Sequence, residues 1–186
     1  MHAGTTDIEQ HIVELFGRGD ASAMSRLYEA YAGYLSGVCV RYVIDADDRK
    51  DVLQESFIQI YTHIHAFSYQ GKGSLRAWMT RVVINQALMY LRKKSQMNFV
   101  DTGMALPDME DCEPDVDGLT EKEILMLLGR LPDGYRTVFN LYAIEGKSHK
   151  EISGLLGIKP DSSASQYSRA RTMLAKMITD YKKKQH

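Results

Sequence analysis

Apolar residues recur every three to four positions along most of this chain, and only residues 98–118 lose the rhythm. Ile8, Ile12, Leu15 and Phe16 predict a short first helix, which Gly17 and Gly19 break. Asp20 is placed to cap a second, with Met24, Leu27, Tyr28, Tyr31, Leu35, Val38 and Tyr42 on one face. Asp45 to Asp48 offer caps for a third, whose inward stripe reads Val52, Leu53, Phe57, Ile60 and Ile64. Ser68 to Ser74 is a loop with two glycines. Ser74 is placed to cap a fourth helix, with Leu75, Trp78, Met79, Val82, Gln86 and Met89 at turn spacing.

Beyond residue 118 the periodicity returns in shorter pieces. Thr120 with Glu123 forms a capping box that opens a helix, and Pro132 stops it. Asp133 is expected to cap the next, which ends at Gly146. Ser148 with Glu151 forms a second box, opening a short helix that carries Ile152, Leu155 and Leu156. Gly157 turns the chain into a last helix from about Ser162 past Met177. The expected fold is all-α: two small helical domains, residues 8–97 and 119–182, joined by a flexible linker over 98–118.

Charge sharpens this division. The formal net charge of −1 hides a first block (1–100) at +1, a middle segment (101–118) at −7, and a last block (119–186) at +5. Between Glu55 and Asp101 there is no carboxylate, yet that stretch carries Lys72, Arg76, Arg81, Arg92, Lys93 and Lys94. Phe57, Tyr61, Phe67, Tyr69, Trp78, Tyr90 and Phe99 are interleaved with them. Cations free of neighbouring carboxylates suit a polyanion, and aromatic faces between them suit unstacked bases.

Composition excludes several classes. No apolar run approaches the ~20 residues of a membrane span. The start of the chain lacks the basic-then-apolar pattern of a secretory signal. Cys39 and Cys112 lie far apart, which argues against a disulfide framework or a cysteine zinc site and for a reducing cytoplasm. Gly71-Lys72-Gly73-Ser74 lacks the spacing of a Walker phosphate loop. Asp51, Gln54 and Glu55 share one exposed helix face, without a histidine or nucleophile constellation to make them catalytic. A polar docking surface is the better reading. His63 and His65 diverge on a helix, and His149 reads as a surface residue. No cofactor or metal is expected. Ser148 to Arg171 reads as a helix-turn-helix, whose second helix would present Ser162, Ser163, Ser165, Gln166, Arg169 and Arg171 to duplex DNA.

These motifs together resemble the sigma-70 family. Asp51-Val52-Leu53-Gln54-Glu55-Ser56-Phe57, Gly71 to Met79, Asn85 and Leu91-Arg92-Lys93-Lys94 are similar to its region two. Leu131 to Phe139, Glu145 to Ser148, Glu151-Ile152, Leu155 to Ile158 and Ser168 to Arg171 are similar to its region four. The two-domain layout resembles the extracytoplasmic function (ECF) group. The resemblance implies a non-enzymatic factor that binds core RNA polymerase at the β′ clamp and β flap and directs it to promoter DNA. It implies polymerase contact by Asp51, Gln54 and Glu55. It implies −10 contact by Phe67, Tyr69, Lys72, Arg76, Trp78, Arg81 and Asn85, beside the 66–75 loop where a flipped base is held. It puts the −35 element on Ser162 to Arg171 and implies an anti-sigma factor as inhibitory partner, with no membrane insertion of the chain itself. Ala164 stands where many relatives carry Lys or Arg, which shifts the −35 expectation towards Gln166, Arg169 and Arg171. The competing readings are a helix-turn-helix regulator that works without polymerase and a metalloenzyme using Asp47, Asp48, Asp51 and histidines.

Overall fold

In a computed structural model, residues 7–95 and 114–184 are described, and among them every regular element is helical. The chain divides into two compact units between Tyr90 and Leu91. Most of the expected linker, 98–113, lies outside the described residues.

The first unit is built on α1 (Ile8–Gly17), α2 (Ala23–Val40), α3 (Ala46–His63), a 3₁₀ turn (Ile64–Ala66) and α4 (Ser74–Ser95). The division between units falls inside α4. Asp7 caps α1 by accepting the Glu9 N–H, and Asp45 caps α3 by accepting those of Asp47 and Asp48. Asp20 instead organises the turn before α2, where its carboxylate takes both the N–H and the hydroxyl of Ser22. Ile12, Leu27, Leu35, Ile60, Leu75 and Met79 are fully buried and form the core expected from their spacing. Ile8 and Tyr28, expected inward, are exposed, and the Tyr28 ring instead leans on Phe57 at 5.0 Å. Two polar residues take inward places that the hydrophobic pattern left blank. Ser56 is fully buried because its hydroxyl bonds back to the Val52 carbonyl at 2.7 Å. Glu9 is 4 % exposed, in register with Ile12 and Phe16 on the inward side of α1.

The second unit contains α5 (Glu121–Gly129), α6 (Asp133–Phe139), a π turn (Asn140–Ile144), α7 (His149–Leu156) and α8 (Pro160–Lys183). Both capping boxes form, Thr120 with Glu123 and Ser148 with Glu151. Gly157 ends α7 at φ 70°, a left-handed geometry that suits glycine. Asp133 does not cap α6. It is the first helical residue, and its carboxylate pairs with the buried guanidinium of Arg136, which also donates to the Leu131 carbonyl at 2.8 Å. The helix expected up to Gly146 widens into the π turn, whose last bond joins the Glu145 N–H to Asn140. Leu127, Leu128, Leu131, Tyr135, Ala170, Leu174 and Ile178 form the core between α5, α6 and α8. At the end of the expected linker, Asp115 accepts from Lys182 on α8 at 2.8 Å.

Candidate functional site

Three faces carry the residues singled out from the sequence. On α3, Asp51, Gln54 and Glu55 are all exposed, with Gln59 donating to Glu55 at 2.9 Å. Beside them Tyr28, Leu53, Gln54, Phe57, Ile58 and Tyr61 line an open apolar groove between α2 and α3.

The second face lies where the 67–74 loop meets α4. His63, Phe67, Ser68, Gln70, Ala77, Trp78 and Arg81 line an open cavity of about 550 Å³. Phe67 and Trp78 rings sit 5.3 Å apart at 35°, forming an aromatic wall. Arg81 is exposed at the rim, and Asn85 is exposed one turn further along α4. The cavity walls carry no carboxylate, the local result of the acid-free stretch after Glu55. An aromatic wall with a cation at its mouth can hold an unstacked base next to its phosphate.

Three of the expected residues lie elsewhere. Arg76 turns to another side of α4 and lies over the Tyr34 ring, 5.5 Å from its centroid. Tyr34 is itself held by a 3.1 Å bond between its hydroxyl and that of Thr80. Lys72 is exposed on the loop outside the cavity walls. Tyr69 points its hydroxyl away to Asp7, at 2.6 Å. That bond pushes the phenol up to about 12 and holds the Asp7 carboxyl below the usual range.

Ser74 does not cap α4. Its hydroxyl takes the Gln70 N–H at 3.2 Å, inside the loop. The cap is Glu9, whose Oε2 accepts the N–H groups of Gly73 at 2.9 Å and Leu75 at 3.0 Å. Oε1 of the same carboxylate accepts the Tyr31 hydroxyl at 3.2 Å. Burial, then the nearby Glu9 charge, raises Tyr31 to about 12. Burial likewise pushes the Cys39 thiol up to about 11, which leaves it protonated and inert at neutral pH. Sequence reasoning missed Glu9. The signal was present in its helical register with Ile12 and Phe16, where a lone carboxylate requires a buried partner.

The third face is the start of α8. Ser165 is exposed, and Ser162, Arg169 and Arg171 are half-buried. Ser163 and Gln166, expected to reach DNA, are buried at 0 % and 1 % exposure. They open the inward stripe that Ala170, Leu174 and Ile178 continue, so their side chains serve the packing of α8. The Ser163 hydroxyl bonds His149 Nδ1 at 3.0 Å. His149, read as a surface residue, is half-buried and stacks on Tyr142 at 4.4 Å. Tyr142 in turn meets Tyr167 at 4.4 Å, and Arg171 lies over that ring. Arg169 reaches the Tyr135 hydroxyl at 3.5 Å. Among the described residues no three His, Cys, Asp or Glu side chains come together as a metal site.

Known proteins match this arrangement in the same order. The Sigma-70 region 2 family model matches residues 27–96, and the Sigma-70, region 4 model matches residues 121–174. The ECF RNA polymerase sigma-E factor of Haemophilus influenzae is 28 % identical, over 91 % of this chain and 95 % of its own. The RNA polymerase sigma-H factor of Pseudomonas aeruginosa is also 28 % identical, over 94 % and 95 %. Among solved structures, CnrH in complex with the cytosolic domain of CnrY has a TM-score of 0.50, 20 % identity, and covers 94 % of this chain and 99 % of its own. RpoE of Bartonella quintana, in complex with the anti-sigma factor NepR, has a TM-score of 0.51, 18 % identity, and covers 86 % and 98 %. The chain belongs to the sigma-70 family, its first unit carrying region 2 and its second region 4. Its nearly full-length likeness to named ECF factors sets it in the ECF group.

Proposed function

We propose that this protein is an ECF-type sigma factor that binds core RNA polymerase, directs it to promoters and promotes opening of the DNA. The observation that carries this reading is the presence of regions 2 and 4 in one chain, in the family's order. A helix-turn-helix regulator working without polymerase would not need region 2.

In this reading α3 docks on polymerase through Asp51, Gln54 and Glu55, which are exposed without supporting the core. The −10 strand enters the cavity between Phe67, Trp78 and Arg81, with Asn85 and Lys72 along its path and Arg76 on its flank. Flipping a base out of the stack costs a few kcal/mol, and stacking on an aromatic wall returns ~1–3 kcal/mol. The −35 duplex is met by Ser162, Ser165, Arg169 and Arg171. The buried Ser163 and Gln166 keep α8 in place and make no base contact in this reading. The factor performs no reaction itself: it lowers the barrier to melting by binding the opened strand better than the closed one.

An anti-sigma partner is supported by the solved relative RpoE, which was captured with the anti-sigma factor NepR. Among the described residues no helix is long and apolar enough to cross a membrane. Action in the cytoplasm follows from the polymerase partner. The test is transcription in vitro with core polymerase and genomic fragments. Discrete start sites that need both core and this chain are expected. Sequence-specific duplex binding by the chain alone, without any start in the presence of core, would overturn the reading.

A further inference from the structure

We propose that Asp7 and Glu9, at the start of α1, are positioning residues that hold the 67–75 loop in the shape that captures an unpaired promoter base. The proposal rests on the reading of the Phe67–Trp78 cavity as the −10 site.

The loop supplies Phe67, Ser68 and Gln70 to the cavity, while α4 supplies Trp78 and Arg81. Its backbone passes through two left-handed positions, Gly71 at φ 104° and Gly73 at φ 92°. A Cβ added at either glycine would meet nothing within 4 Å, so no group packs over that side of the backbone at these two positions. Polar ties hold the loop on either side of them. Tyr69 is fixed to Asp7 at 2.6 Å on one side, and Gly73 and Leu75 are fixed to Glu9 at 2.9 and 3.0 Å on the other. Gln70, a cavity wall, lies in the short span between the two ties. Both anchors come from one turn of α1, more than sixty residues away in sequence.

A carboxylate suits this place for two reasons. One Glu9 oxygen accepts two backbone N–H groups while the other accepts the Tyr31 hydroxyl, whereas an amide would serve Tyr31 only by donating to a hydroxyl turned round to accept. Negative charge is also favourable at the N-terminus of α4, where the first N–H groups lack partners within the helix. Neither Asp7 nor Glu9 lines the cavity, so each acts on the strand only through the loop.

The test uses holoenzyme assembled from core polymerase and the full chain, on a fragment from which the wild type starts transcription. Glu9→Gln is expected to slow promoter opening at least tenfold, read by permanganate reactivity of unpaired thymines, while affinity for core stays within twofold. Asp7→Ala and Tyr69→Phe are each expected to slow opening several-fold, and the double variant to be no slower than the slower of the two, because both remove the same bond. Opening at the wild-type rate in Glu9→Gln overturns the proposal. So does a parallel loss of opening and core affinity, which would mark a general loss of fold. If Glu9→Gln does not accumulate as folded protein, the Asp7–Tyr69 pair decides: additive losses, or none, overturn it. A wild-type chain that starts no transcription with core overturns the sigma reading and this proposal together. A wild-type chain that does, matched by its Glu9→Gln variant, overturns only the positioning role.

Discussion

The two units differ in what their long-range ties hold. In the second, local bonds set the helix ends (Thr120 with Glu123, Ser148 with Glu151, Arg136 with Leu131 and Asp133, all within five residues), and distant ties such as Ser163 with His149 and Tyr181 with Glu123 join one regular helix to another. In the first, the ties cross from Asp7 and Glu9 to the irregular loop at residues 69–75, with the Tyr31 hydroxyl bracing Glu9. A surface meant to meet regular duplex DNA needs only a well-seated helix. A cavity meant to take a single base needs an irregular loop, and irregular backbone leaves N–H groups that must find partners elsewhere.

Three substitutions put this contrast at risk, in falling order of effect. Glu9→Ala should lower the stability of the first unit by roughly 3 kcal/mol, because it leaves buried N–H donors unsatisfied. Chemical denaturation followed through Trp78, the only tryptophan, would read it; a loss no larger than that of a surface residue would mean the long-range ties do little. Glu55→Ala should weaken binding to core at least tenfold, about 1.4 kcal/mol, while shifting stability by less than ~0.5 kcal/mol, since Glu55 is exposed. Equal effects on both would return α3 to a structural role. Ser148→Ala should cost only about 1 kcal/mol, the usual worth of a helix cap.

The same box gives a pH signature. The Ser148 N–H, then its hydroxyl, hold the Glu151 carboxyl below its usual range. A lowered folded value means that its contribution is complete above the unfolded value near 4.5 and is lost as pH falls through the lowered one. Ser148→Ala should move the Glu151 titration upward, visible in its carboxyl carbon shift. An unmoved titration would show that the box does not form in solution.

Legibility followed the same divide. Both capping boxes and the Gly157 turn were readable because cap and turn chemistry lie within a few residues. The acid-free aromatic stretch pointed to the Phe67–Trp78 cavity because charge and ring content survive without coordinates. The Glu9 cap was hidden because its partners are distant in the chain and Ser74 offered a local decoy. Ser163 and Gln166 looked like readers of DNA because polar residues ordinarily face water. Their burial follows from the register of α8, whose inward stripe begins before its apolar residues do.

The bond between Asp115 and Lys182 has a mechanical meaning. It fastens the strand leading into α5 to the far end of α8, where Tyr181 also grips Glu123 at 2.6 Å. Tension arriving along that strand would load the tail of α8 alongside the first turn of α5. The second unit is thus rigged like a kite whose line is tied at the end opposite its Ser162 nose.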